Sequence, residues 1–72
     1  MQNLELFAYR VKKLRKQHKL SQKQLGDAIG LTSKAICTIE NGTRTTTIEK
    51  VILLAKFFDV SADYLLGLKD EP

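Results

Sequence analysis

The segment LSQKQLGDAIGLTSKAICTIENGTR, residues 20–44, decides the fold. It holds two helix units in succession. Ser21-Gln22-Lys23-Gln24 reads as a capping box, with Ser at the N-cap and Gln three residues on. The helix it opens runs over about 22–29, turns Leu25, Ala28 and Ile29 inward, and ends at Gly30 as a C-cap. Thr32 caps the next helix, about 33–40, with Ala35, Ile36 and Ile39 inward, and Gly42 stops it.

Helices of about eight residues do not hold themselves together in water, because nucleation costs more than so few hydrogen bonds return. The second is stable only if Ile36 and Ile39 dock on a scaffold, which leaves its other side projecting. Two such helices joined at a steep angle by a three- to four-residue turn containing Gly form a helix-turn-helix.

The scaffold is legible on both sides. Leu4, Phe7, Ala8, Val11 and Leu14 step by three and four, so a first helix over about 3–18 carries one apolar stripe. Its other side carries Arg10, Lys12, Lys13, Lys16 and Lys19. Beyond Gly42, Thr46 or Thr47 starts a helix over about 47–58, Thr46 with Glu49 making a second capping box, and Ile48, Val51, Ile52, Ala55 and Phe58 facing inward. Ser61 caps a last helix, Ala62 to Leu66, which Gly67 closes. The expected fold is all-α: five short helices in one compact domain over residues 1–68, with 69–72 as a short tail.

The net charge of +4 conceals an asymmetry. Residues 1–44 hold nine Lys/Arg against three Asp/Glu, and residues 45–72 three against five. Positive charge gathered in one part is the footprint of a polyanionic partner as well as of a solvated face. The single Cys37 makes no internal disulfide and suits a reducing, cytoplasmic setting. Residues 1–20 show no signal-peptide core, and the apolar run VILLA, 51–55, is too short for a membrane span.

No enzyme is expected. Cys37 and His18 fall on different helices, without a nucleophile–base–orienter set or metal-ligand spacing. No metal, cofactor or small-molecule ligand is indicated.

The run from Leu20 to Arg44, with the fourth helix and the ending VSADYLLG (60–67), resembles the Cro/C1-type (xenobiotic-response-element family) helix-turn-helix regulators. The resemblance covers about residues 4–68. It implies a five-helix, lambda-repressor-like DNA-binding domain with the helix-turn-helix at helices 2 and 3. The implied function is a sequence-specific transcriptional regulator, most simply a repressor, gripping a palindromic double-stranded operator as a homodimer. A protein-interaction or antitoxin-like module on the same scaffold is the alternative.

Carried over by position, Ser33, Lys34 and Thr38 match residues that touch base edges in the major groove, and Cys37 lies among them. Gln22 matches a phosphate contact that braces the reading side chains. Asn41, Thr43 and Arg44 match the loop that holds the DNA strand, and Arg10 is a further phosphate candidate. Arg15 and Glu40 match a structural ion pair that fixes the recognition helix to the first helix. Gly26 stands where the family usually has Ala, a choice that costs about 1 kcal/mol of helix propensity.

Overall fold

The computed structural model describes residues 3–72 and contains five helices: α1 (Asn3–Gln17), α2 (Gln22–Ile29), α3 (Ser33–Glu40), α4 (Ile48–Phe58) and α5 (Ala62–Leu66). No strand occurs among the described residues. The starts of α2, α3 and α5 have the chemistry their sequence announces. Ser21 accepts from the Gln24 amide while the Gln24 side chain accepts from the Ser21 amide, closing the capping box. Thr32 and Ser61 accept from the amides of Ala35 and Tyr64. For α4 the N-cap is Thr47, which accepts from Lys50, and the Thr46–Glu49 box does not form.

The core is a single cluster to which every helix contributes. Phe7, Val11 and Leu14 of α1 meet Leu25 and Ile29 of α2, Ile36 and Ile39 of α3, Val51, Leu54, Ala55 and Phe58 of α4, and Tyr64 and Leu65 of α5. α3 owes its place to this cluster: Ile36 is fully buried and Ile39 nearly so.

Two inward faces are set differently from the sequence expectation. On α4 the buried stripe is Val51, Leu54, Ala55 and Phe58, while Ile48 is 80% exposed and Ile52 45% exposed. The helix is apolar nearly all round, so periodicity alone does not fix its rotation. On α2, Ala28 is exposed and Gly26 is buried instead. That face is pressed onto the following turn: a Cβ on Gly26 would lie 2.3 Å from the Leu31 carbonyl oxygen.

Arg10 also departs from its expected role. It is only 8% exposed, and its guanidinium faces α5 and the chain beyond it, not solvent. Nη1 donates to the Tyr64 carbonyl and, at 2.7 Å, to the Lys69 carbonyl. The guanidinium stacks over the Tyr64 ring at 4.1 Å, and Nη2 lies 3.7 Å from the Asp70 carboxylate. The stripe of α1 is wide enough to include position 10, and burial there gives the Tyr64 carbonyl a second donor beside the Gly67 amide and ties the Lys69 carbonyl to α1. Residues beyond α5 fold back: the Ser61 amide donates to the Pro72 carbonyl oxygen at 3.0 Å.

Candidate nucleic-acid interface

α3 advances about 100° per residue, so Ser33, Lys34, Cys37, Thr38 and Asn41 fall on one arc of about 140°. The buried Ile36 and Ile39 lie on the other side. Ser33, Lys34 and Asn41 are exposed and Cys37 and Thr38 half-buried. This arc contains a hydroxyl, an ammonium, a thiol, a methyl-bearing hydroxyl and an amide, and no acid. The Thr38 hydroxyl donates to the Ala35 carbonyl at 2.9 Å. Its proton is thereby committed, leaving its methyl and lone pairs for an outside contact. The Asn41 amide reaches the Cys37 sulfur at 3.6 Å, a weak contact that leaves its second N–H without a partner among the described residues.

The acid of α3 is turned away from this arc. Glu40 is buried, and both of its oxygens are held by Arg15: Nε to Oε2 at 2.7 Å and Nη2 to Oε1 at 2.9 Å. The hydrogen bond to Glu40 raises the Arg15 guanidinium above its ordinary value; burial opposes the shift, and the carboxylate charge adds to it. Arg15 spends its remaining reach on the Leu20 carbonyl at 2.7 Å, which ties the end of α1 to the entry of α2.

Gln22, the first residue of α2, joins the same carboxylate. Its Nε2 donates to Glu40 Oε1 at 3.2 Å. A primary amide carries two N–H groups, so one still points elsewhere. The capping box uses the amides of Ser21 and Gln24, and the backbone N–H groups of Gln22 and Lys23 remain as donors at the positive end of α2. The start of α2, the end of α3 and α1 are thus locked through one buried carboxylate.

In the loop after α3, Arg44 is exposed and has no ion-pair partner among the described residues. Thr43 is exposed, but its hydroxyl and its amide both donate to the Thr38 carbonyl, at 3.2 and 3.3 Å. That hydroxyl therefore caps α3 and is not a poised phosphate donor. Arg10 lies outside the surface, clamped to α5 as described. Among the described residues no group of His, Cys, Asp and Glu could hold a metal ion, and no helix is long and apolar enough to cross a membrane.

Lys50 is a structural contact that the sequence pattern does not single out. Half-buried in the first turn of α4, it sends Nζ to the Ile29 carbonyl oxygen at 2.9 Å, at the turn between α2 and α3. A signal was present: a basic residue in the first turn of a helix opposes the helix dipole.

Comparison with known proteins agrees with this geometry. A family model described as helix-turn-helix matches residues 11–65. An uncharacterized HTH-type transcriptional regulator of Bacillus subtilis (strain 168), YobD, is 37% identical over 67 residues, 93% of this chain; the chain spans 60% of that relative's length. The control protein C.SmaI of Serratia marcescens is 37% identical over 70 residues, covering 93% of this chain and 83% of that one. Among solved structures, the P22 c2 repressor in complex with synthetic operator 9T superposes with a TM-score of 0.84 at 31% identity, over 89% of this chain and 97% of the repressor chain.

Proposed function

The chain belongs to the helix-turn-helix family, of the Cro/C1 type, and from that membership we propose that it is a sequence-specific double-stranded DNA-binding transcriptional regulator, working as a repressor. The observation that carries this reading is the division of α3: two isoleucines dock it, its one acid is turned inward to Arg15, and an acid-free polar arc is left outside. A helix so presented fits the major groove, about 12 Å wide, where base pairs differ in donors, acceptors and methyls.

In this reading Lys34 approaches guanine O6 and N7, Thr38 offers its methyl to a thymine methyl, and Ser33 and Cys37 complete the contact with base edges. Phosphate is met by the start of α2, through Gln22 and the open amides there, and by Asn41 and Arg44. The regulator works in the cytoplasm, with its DNA. Two copies bind a palindromic operator with recognition helices roughly 34 Å apart. The similar P22 c2 repressor is described on a synthetic operator, which supports a DNA partner. Exposed Ile48, Ile52, Phe57, Leu66 and Leu68 supply apolar surface for a second copy.

The same exposed residues favour the second reading, a protein-interaction or antitoxin-like module. One experiment separates the two: selection from a randomised duplex pool, then gel shifts on selected and random duplexes, with the solution mass measured alongside. A clear preference supports the regulator, and no preference at moderate salt turns the assignment to the module.

A further inference from the structure

Lys50 stands where local rules disfavour it. It is the third residue of α4, whose N-terminal turn is the positive end of the helix dipole. Its ammonium does not remain there. The stem crosses to α2, and Nζ donates to the Ile29 carbonyl at 2.9 Å, at the negative end of that helix. It also lies 3.0 Å from where a Cβ of Gly30 would stand. The peptide unit between Ile29 and Gly30 is therefore held from both sides. Lys50 grips its carbonyl, and its amide donates to the Gly26 carbonyl.

That peptide is the entry to the turn. Gly30 follows in the left-handed region, with φ of 80°, and Thr32, two residues on, is already the N-cap of α3. Glycine is the residue least able to hold a backbone angle by itself. Within the turn the Leu31 amide also donates to the Gly26 carbonyl, at 2.8 Å, and Lys50 adds the hold from outside it.

We propose that Lys50 is a positioning residue for base recognition: by clamping the Ile29–Gly30 peptide from α4, it sets the direction in which α3 presents Lys34 and Thr38. This rests on the DNA-reading assignment above. In this proposal Lys50 acts through the Ile29 carbonyl, which one of its three N–H donors holds, and not by touching DNA.

The test uses Lys50→Met, which keeps the stem and removes the donor, and Lys50→Arg, which keeps a cationic donor. Affinities for a selected and a random duplex are measured as salt is varied, on protein shown to be folded by circular dichroism. For Lys50→Met we expect about a tenfold loss on the selected duplex, less than about twofold on the random one, and an unchanged salt slope on each. Amide hydrogen exchange without DNA should quicken at Gly30 and Leu31. Lys50→Arg should restore the selected-duplex affinity to within about threefold and slow those amides again.

Equal losses on both duplexes with a salt slope lower by about 0.9 would make Lys50 a phosphate contact and overturn the proposal. Wild-type affinity and exchange in Lys50→Met overturn it as well. If Lys50→Met does not fold, Lys50→Arg decides: a folded Arg variant without the selected-duplex preference sinks the idea. A wild-type protein that prefers no duplex removes the DNA-reading assignment itself, and that is seen before any variant is made.

Discussion

Arg15 and Glu40 meet through two parallel hydrogen bonds between α1 and α3, at 2.7 and 2.9 Å, and only 2% of the Glu40 side chain is exposed. The pair holds the end of α3 against the scaffold and removes the one negative charge of α3 from its outer face. A buried ion pair broken from one side leaves an uncompensated charge and costs about 3–5 kcal/mol. Glu40→Gln strands the Arg15 guanidinium in this way. Asp27→Asn removes an acid from an exposed pair with Lys23, worth about 0–1 kcal/mol. Urea unfolding should place Glu40→Gln well below Asp27→Asn; coincident midpoints would show that the pair carries no stability.

Arg10 separates structure from DNA contact. Its hydrogen bonds to the Tyr64 and Lys69 carbonyls connect α1 to α5 and the residues that follow. Arg10→Met should cost about 1.5–3 kcal/mol, the range for a hydrogen-bonded charged group. The salt dependence of DNA binding should stay as in the wild type. A slope lower by about 0.9 at unchanged stability would return Arg10 to the phosphate contacts.

Gly26 gives a prediction with opposite signs from two arguments. Helix propensity favours Ala by about 1 kcal/mol. Packing opposes it, because the new methyl would meet the Leu31 backbone oxygen at 2.3 Å, and backbone cannot swing aside as a side-chain tip can. Overpacking costs about 1–3 kcal/mol, so the net change should be destabilising or near zero. A thermal midpoint raised by Gly26→Ala would show that α2 and the turn move apart freely.

The helix ends were legible in the sequence because their causes are local. Ser21 with Gln24, Thr32, Ser61, Gly30 and Gly67 each act within a few residues and stand where the structure has them. The rotation of α4 was not legible. Ile48 and Ile52 are as apolar as Leu54, and only the neighbours of the helix choose among them. Arg10 was misplaced for a related reason, since a long basic side chain beside an apolar stripe suits solvent or a buried carbonyl equally well. The Gln22–Glu40 and Lys50–Ile29 bonds span 18 and 21 residues, beyond what a local pattern encodes. Within the candidate interface, the residue types on α3 were readable; what escaped was which hydroxyls are already spent, Thr38 on Ala35 and Thr43 on Thr38.

Lys34 and Arg44 are both exposed cations without an ion-pair partner among the described residues, yet they should fail differently. Lys34 projects from the first turn of α3, within the polar arc, and a bidentate contact with guanine discriminates against the wrong base by about 1–3 kcal/mol. Lys34→Ala should therefore relax preference at one position of the selected site and leave the others sharp. Arg44 lies in the loop beyond α3 and is proposed for a phosphate contact, which releases counterions whatever the sequence. Arg44→Ala should weaken every duplex alike and lower the salt slope by about 0.9. Binding-site selection repeated with each variant distinguishes them. If both lose affinity evenly across the pool, Lys34 is one more phosphate contact, and base reading falls to Ser33, Cys37 and Thr38, none of which carries a full charge.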